Sequence, residues 1–215
     1  MNKKLILTAL LCIALAVALF AMVARYLHND RVAECAVVDA IMSRRSIRAY
    51  AEQPVEREKM ATILKCGIAA PNAMNRQEWE LRVVDNADWI ERCTAAYVAS
   101  IKDTPMAARV LTPDFRNMFR NAPTVVFIAA LPSKYAGVNC GLLGENMILA
   151  AHSMGIGSCC LGSPVAFLND EAGKEFLASL GFSEGYELLY AIGFGYGTEQ
   201  PEARPRDESK IKYVD

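Results

Sequence analysis

The feature that most constrains the fold is a continuous apolar run from Thr124 to Ala130, which lies between Pro123 and Pro132. The run contains β-branched and aromatic residues and shows no alternation of apolar and polar positions. Such a pattern is typical of a buried strand at the centre of a sheet. The sequence therefore predicts a sheet with this strand in its interior.

From about residue 31 the chain alternates between helical and strand patterns around this central strand. Segment 104–122 has no clear period and is predicted to be a mobile loop or lid. The tail from Gly195 has no core pattern and is predicted to run along a surface. Apolar residues at helical spacing predict helices over 34–44, 56–69, 89–100, 139–154 and 170–180. Short apolar runs predict further strands over 81–84, 159–161 and 186–194.

The N-terminus is predicted to be a separate region, residues 1–30, ahead of a domain over 31–215. Residues 5–24 carry no charge. Twenty helical residues extend about 30 Å, which matches the hydrocarbon core of a bilayer. This length favours an uncleaved membrane anchor over an exported protein with a cleaved signal segment, although residues 16–18 have the small-x-small pattern of a cleavage site. The lysines at 3 and 4 favour a cytoplasmic N-terminus, but the side of the membrane stays open.

Charge and side-chain chemistry exclude several classes of function. The formal net charge is −1 and no long basic run occurs, so we expect no nucleic-acid partner. Seven cysteines show no C-x-x-C spacing, and there are only two histidines, so we expect no metal site. We expect no serine nucleophile, because no G-x-S-x-G motif is present and His152 is the only histidine of the predicted domain.

Two arginine clusters lie near opposite ends of the predicted domain. One contains Arg44, Arg45, Ser46 and Arg48, and the other contains Arg204 and Arg206. A planar guanidinium offers paired donors that match phosphate oxygens, and a serine hydroxyl adds another donor. Either cluster alone is more typical of a solvated basic turn. A strong anion site requires the fold to bring the two clusters together.

The segment from Ala70 to Trp79 follows an apolar helix and presents amide side chains. Asn72, Asn75 and Gln77 each carry a donor and an acceptor, which suits the polar edge of a flat heterocycle. The alternative is a turn that ends the helix, in which the asparagines bond their own backbone.

Together, these motifs resemble the nitroreductase family of flavin enzymes over about residues 36–215. The resemblance rests on the two arginine clusters, on the segment 70–79, on the run from Gly141 to Gly162 and on residues 193–196. It implies an α+β fold, with a mixed central sheet wrapped by helices. It also implies a homodimer in which the two subunits exchange C-terminal arms.

The resemblance also implies FMN as the cofactor and assigns positions for it. Phosphate and ribityl contacts would come from Arg44, Arg45, Ser46 and Arg48, with further phosphate contacts from Arg204 and Arg206. Residues that would reach the flavin from the other subunit are Pro71, Asn72, Ala73 and Asn75. Leu161 and Gly162 would lie beside the reactive edge of the ring. The chain departs from the family's usual residues at Asn72, where serine is common, and at Glu78, where proline is usual.

The implied activity is an FMN-dependent oxidoreductase that accepts electrons from NADH or NADPH. It would reduce nitroaromatic, quinone or similar small acceptors by a ping-pong mechanism. Two alternatives stay open from the sequence. One is a different enzyme on the same scaffold, of the reductive dehalogenase or flavin-modifying type, and the other is a membrane-tethered FMN-binding module without catalysis.

Overall fold

The chain divides into two compact units at Ser43. The computed structural model describes residues 3–214, with side chains for residues 12–25 and 36–214. One unit is Met1–Ser43 and the other is Arg44–Asp215. The sequence boundary at residue 30 lies inside the first unit, and the functional meaning of that boundary stays a prediction.

The first unit is one helix, α1, over Lys3–Ser43. The helix predicted over 34–44 is therefore the last part of a longer element. Among the residues that the structure describes, no helix is both long and apolar enough to cross a membrane. The predicted anchor over 5–24 is thus not supported, and the side chains of its residues 5–11 lie outside those described.

The described part of the second unit, residues 44–214, contains six helices and four strands, together with two short 3₁₀ turns at Ala73–Asn75 and Glu208–Lys210. In chain order the elements are α2 (Arg57–Ile68), β1 (Trp79–Val84), α3 (Ala87–Ile101), α4 (Ala107–Val110), β2 (Thr124–Ala130), α5 (Ala136–Ser153), β3 (Gly157–Leu161), α6 (Ser163–Leu168), α7 (Lys174–Ser179) and β4 (Glu187–Gly195). All the predicted strands are present, and an α+β fold is confirmed.

The four strands form one sheet in the order β1-β2-β4-β3, and every neighbouring pair is antiparallel. The prediction of a mixed sheet is therefore wrong for the named strands. The parallel contact that the structure does contain is an isolated bridge between Ser46 and Ser158. That bridge lies on β3 and places the first arginine cluster at the edge of the sheet.

Strand β2 is buried along its whole length because helices cover both faces of the sheet. Val126 and Ile128 pack into a core formed with α2 and α5. Val125 and Phe127 point the other way, into a core formed with α3, α6 and α7. Successive side chains of a strand point to opposite faces. The absence of polar alternation in β2 follows from this two-sided burial.

Segment 104–122 is mostly irregular, and its prediction as a mobile loop or lid stays a prediction. It contains α4 and then a turn that two asparagines hold in place. Asn121 Oδ1 accepts from the backbone N–H of Arg116 at 2.8 Å and of Asn117 at 3.0 Å, and Asn117 Nδ2 donates to Ala122 O at 3.2 Å. Phe119 is fully buried in the core beside Phe127. Side-chain bonds to the backbone, rather than periodicity, define this segment.

Candidate functional site

The first arginine cluster is attached to the edge strand β3 through Ile47. The Ile47 N–H donates to Ser158 O at 2.9 Å, next to the bridge between Ser46 and Ser158. The Ile47 side chain fills a slot above two glycines. A Cβ atom added at Gly157 would lie 3.0 Å from Ile47, and one added at Gly197 would lie 3.1 Å from it. The arginines therefore flank a residue that packs against both β3 and the chain after β4.

The same segment pairs with the tail that follows β4. Tyr50 bridges Gly197 in antiparallel fashion, and the Thr198 N–H donates to Ala49 O at 2.9 Å. The buried Tyr50 hydroxyl donates to Ile47 O. Burial raises the pKa of the Tyr50 phenol above its ordinary value, so the hydroxyl keeps its proton and remains a donor. These contacts bring the two ends of the second unit together.

The two arginine clusters line one cavity of about 330 Å³. Five arginines and one glutamate give it a formal charge of +4, which suits an anion. The condition set by the sequence, that the fold joins the clusters, is met. The lining residues are Arg44, Arg45, Ser46, Arg48, Pro201, Glu202, Arg204 and Arg206.

Several of these guanidinium groups are oriented by local contacts. Arg44 Nε lies 3.0 Å from Glu145 Oε1 on α5, in an ion pair whose members are both partly exposed. Arg48 Nη1 donates to Ser46 O at 3.1 Å, and Arg206 Nη1 donates to Arg204 O at 3.1 Å. Each contact uses part of a guanidinium that has five N–H donors. The remaining donors can serve an anion in the cavity.

The amide segment forms a strained turn. Met74, Asn75 and Gln77 have positive φ angles of 54°, 52° and 52°. Asn72 Oδ1 accepts from the Gln77 N–H at 2.9 Å, so the turn prediction, in which an asparagine bonds its own backbone, is confirmed for Asn72. The buried Asn139 of α5 accepts from the Ala73 N–H at 3.2 Å. The Met74 side chain is 77% exposed.

The structure brings only part of the predicted site together within one chain. The residues at 71–75 do not line the arginine cavity, and neither do Leu161 and Gly162. Leu161 is buried in the core, whereas Gly162 is exposed at the start of α6. A Cβ atom added at Gly162 would meet nothing within 4 Å. The role of these residues at a flavin ring stays a prediction.

A second, larger cavity of about 610 Å³ lies between α3 and residues 115–123. It shares no lining residue with the arginine cavity. Three carboxylates line it, from Glu52, Asp85 and Glu91, against the single cation Arg116. This excess of negative charge does not suit a phosphate, so the arginine cavity is the candidate anion site.

The described cysteines are all free and form no disulfide with one another. Burial raises the pKa of Cys93 to about 12 and that of Cys140 to about 11, so both remain protonated thiols in the core. Cys159 is buried, while its neighbour Cys160 is exposed on the other face of β3. Among the residues with described side chains, no group of His, Cys, Asp or Glu could hold a metal.

Sequence reasoning missed the acidic residues around the arginine cavity. Glu145 pairs with Arg44, Glu202 lines the cavity, and Glu199 accepts hydrogen bonds from the backbone beside Arg48. The sequence gives no local signal for these contacts, because the Glu199 contact joins residues 151 positions apart. Buried Asn139 was also missed, because it lies within an ordinary helical pattern.

Comparison with known proteins gives relatives that cover most of the chain. A relative from Methanothermobacter thermautotrophicus, named for NADH dehydrogenase and NAD(P)H nitroreductase activity, is 30% identical over 82% of this chain and 86% of its own. The NADPH-flavin oxidoreductase of Vibrio harveyi is 26% identical over 79% of this chain and 69% of its own. A crystal structure of a Desulfitobacterium hafniense nitroreductase with bound FMN has a TM-score of 0.74 and 30% identity, covering 84% of this chain and 98% of its own.

The family model for the nitroreductase family matches residues 41–196. This range includes the first arginine cluster, the amide turn and all four strands. It ends before Arg204 and Arg206, whose link to the site comes from the cavity that they share with the first cluster. The chain therefore belongs to the nitroreductase family.

Proposed function

We propose that this protein is an FMN-dependent oxidoreductase that takes electrons from NADH or NADPH. In this proposal it passes them to nitroaromatic, quinone or similar small acceptors in a ping-pong cycle. The observation that carries the proposal is the cavity in which arginines from both ends of the second unit converge. Relatives whose names include NAD(P)H and flavin activity support it.

The donor set of the cavity fits the phosphate end of FMN. A phosphate monoester carries about −1.5 to −2 charges at neutral pH and has three strong acceptor oxygens. The cavity offers five guanidinium groups and the Ser46 hydroxyl, and its formal charge is +4. Charge-assisted hydrogen bonds contribute about 1.5–3 kcal/mol each. Three or four such bonds are enough to retain the cofactor without a covalent link.

The remaining predicted contacts complete the proposed site. Leu161 and Gly162 would place the backbone at the end of β3 beside the reactive edge of the ring. Bound FMN supplies the hydride and electron transfer, so the protein needs no catalytic acid or base of its own. The chain's residues bind the phosphate, orient the ring and restrict access of water.

We also propose a homodimer in which Pro71, Asn72, Ala73 and Asn75 approach the flavin of the other subunit. Exposed apolar side chains support an interface. Val138 is 61% exposed and Leu142 is 42% exposed on α5, and the C-terminal residues Ile211, Tyr213 and Val214 are 70%, 93% and 96% exposed. Contiguous exposed apolar surface commonly marks an interaction site. Exchange of the C-terminal arms would cover these residues.

The proposed function is tested with the purified full chain under anaerobic conditions. We expect a yellow dimeric protein whose long-wavelength flavin band bleaches within a catalytic timescale on mixing with NADH or NADPH. The band should recover on addition of a quinone or a nitroaromatic compound. A protein that stays colourless and monomeric in excess FMN would contradict the proposal. Yellow protein that neither nicotinamide bleaches would instead favour a binding module.

Anaerobic screening of acceptors separates this activity from the two other enzyme types. Turnover with halogenated aromatics but not with quinones would favour a reductive dehalogenase. Loss of the flavin itself during turnover would favour a flavin-modifying enzyme. We expect quinone or nitroaromatic turnover with the flavin recovered intact.

For the cellular location we propose two alternatives. Residues 5–24 would either anchor the protein to a membrane or act as a signal segment that is cleaved on export. Fractionation of cells that express the full chain tests both forms. Recovery in the membrane pellet supports an anchor, and a shortened chain outside the cytoplasm supports cleavage. Recovery of the uncleaved chain in the supernatant would contradict both.

A further inference from the structure

We propose that Glu199 is a positioning residue for the arginine cavity, and that its carboxylate fixes the backbone from which Arg48 projects. The inference rests on the proposed function, because the anion concerned is the phosphate of FMN. In this inference Glu199 raises the affinity for the phosphate, whereas its negative charge alone would lower that affinity.

The geometry places Glu199 between the two ends of the second unit. A single carboxylate oxygen, Oε1, accepts from the backbone N–H of Arg48 and from that of Ala49, the second at 3.2 Å. In the other direction the Thr198 N–H donates to Ala49 O at 2.9 Å. Hydrogen bonds therefore run both ways between residues 48–49 and 198–199. The cavity lies where these two segments meet.

The backbone at Arg48 and Ala49 would otherwise lack partners from the sheet. The bridge to β3 ends at Ser46 and Ile47, and the bridge to the tail begins at Tyr50. Glu199 bonds the two N–H groups between these bridges. A carboxylate makes stronger hydrogen bonds than a neutral carbonyl does, and one oxygen can accept from both donors. Glu199 thus completes the attachment of the arginine segment.

The charge of Glu199 works against anion binding, because it lies beside a cavity that must attract a phosphate. Coulomb repulsion alone predicts that removing this carboxylate would tighten FMN binding. The proposed positioning role predicts weaker binding, since Arg48 would no longer be held toward the cavity. The two predictions differ in sign, so a binding measurement separates them.

Glu202 is a natural control. It has the same side chain three residues further on, and it lines the cavity. Among the described residues its carboxylate has no hydrogen bond or ion pair, and it is exposed. Glu202 therefore acts on a bound anion through its charge alone. Its replacement measures the electrostatic effect without any loss of positioning.

The experiment compares Glu199→Ala, Glu199→Gln, Glu199→Asp and Glu202→Ala in the full chain. Titrations with FMN and with riboflavin, which lacks the phosphate, give two dissociation constants for each variant. For Glu199→Ala we expect the FMN constant to rise at least about tenfold, with riboflavin changed by less than about twofold. Glu199→Gln keeps an acceptor oxygen and should restore FMN affinity to within about threefold of wild type. Glu202→Ala should bind FMN more tightly.

Glu199→Asp provides the test if Glu199→Ala does not fold. Its shorter side chain keeps the charge but cannot reach both N–H groups, so we expect weaker FMN binding and unchanged riboflavin binding. FMN affinity that is unchanged or tighter in Glu199→Ala, or in Glu199→Asp where the alanine variant does not fold, would overturn the inference. An equal loss in Glu199→Ala and Glu202→Ala would also overturn it. A wild-type chain that binds FMN no better than riboflavin would instead contradict the proposed phosphate site.

Discussion

The arginine cavity and the amide turn at 72–77 illustrate two ways of building a predicted flavin site. The cavity is lined by residues of one chain, and contacts between residues 46–51 and 196–199 hold the backbone beside it. The turn is also held in place, by Asn72 and Asn139, but it lies outside the cavity and exposes Met74. This difference agrees with the proposed function, in which one chain would bind the phosphate and a second subunit would supply the ring contacts.

The largest effect is expected from loss of a cavity arginine. Arg48→Ala or Arg206→Ala should raise the FMN dissociation constant by about tenfold to a hundredfold, because each removes charge-assisted bonds worth about 1.5–3 kcal/mol. Fluorescence titration measures the loss, and circular dichroism should show an intact fold. Arg92→Ala is the matched control, since Arg92 lies on α3, away from the arginine cavity, and pairs with Asp88. If the variants purify as yellow as the wild type, these arginines do not bind the FMN phosphate.

A smaller effect is expected from the amide turn. Asn139→Ala removes the acceptor for the Ala73 N–H, so the turn should loosen and FMN affinity should fall about fivefold, the equivalent of about 1 kcal/mol. Asn146→Ala on the same helix removes a bond of similar kind, from Asn146 Nδ2 to Cys66 O at 3.1 Å. We expect it to lower thermal stability without weakening FMN binding. Equal losses of FMN affinity in both variants would show that the turn has no special part in the site.

Backbone strain in the turn should be measurable as stability. A non-glycine residue in the left-handed region costs roughly 1–2 kcal/mol, and glycine removes that cost while gaining freedom in the unfolded chain. Met74→Gly should therefore raise the free energy of unfolding by up to about 1 kcal/mol. Met106→Gly is the control, because Met106 is also exposed but has an ordinary φ of −68°. Denaturant titration gives the free energy of unfolding of both variants. A lower value for Met74→Gly than for the wild type would show that the backbone at Met74 is not strained.

The smallest effect is expected for an arginine outside both regions. Arg57 Nε lies 2.9 Å from Asp85 Oδ2, and this hydrogen bond from Arg57 lowers the pKa of the Asp85 carboxyl. A lowered pKa stabilises the fold above the ordinary aspartate range and loses that stability as pH falls through the folded value. Arg57→Ala should thus lower the stability only slightly at pH 7, because solvent screens this exposed pair, and the difference from wild type should vanish in acid. Denaturation at several pH values checks this, and a constant difference would exclude the ion pair as its source.

The spacing of apolar residues predicted most of the helices and strands, because the burial of their faces determines that spacing. β2 reads as apolar throughout since both its faces are covered, and α5 has apolar positions at helical spacing since it packs on the sheet. Segment 104–122 and the short helix α6 were missed or left undefined. In the first, asparagine side chains bond the backbone, and such contacts leave no period in the sequence.

The two arginine clusters could be identified in the sequence from the chemistry of their residues. Their proximity in the folded chain could not be predicted in this way. Ser46 and Arg204 lie far apart along the chain, and only the pairing of residues 46–51 with β3 and the tail brings them together. Glu199 and Asn139 escaped sequence reasoning for the same reason. Each is defined by a partner more than 60 residues away.

The joining of residue 48 to residue 199 also has a consequence for biosynthesis. A nascent chain emerging from the ribosome carries its first arginine cluster long before the second, and 151 positions separate the two members of that contact. Pairings this distant in sequence must wait for the late part of the chain. The arginine cavity can therefore form only after the segment 199–206 has been synthesised and has emerged from the ribosome. Until then, Arg44, Arg45 and Arg48 form a positively charged segment to which a chaperone or a polyanion could bind.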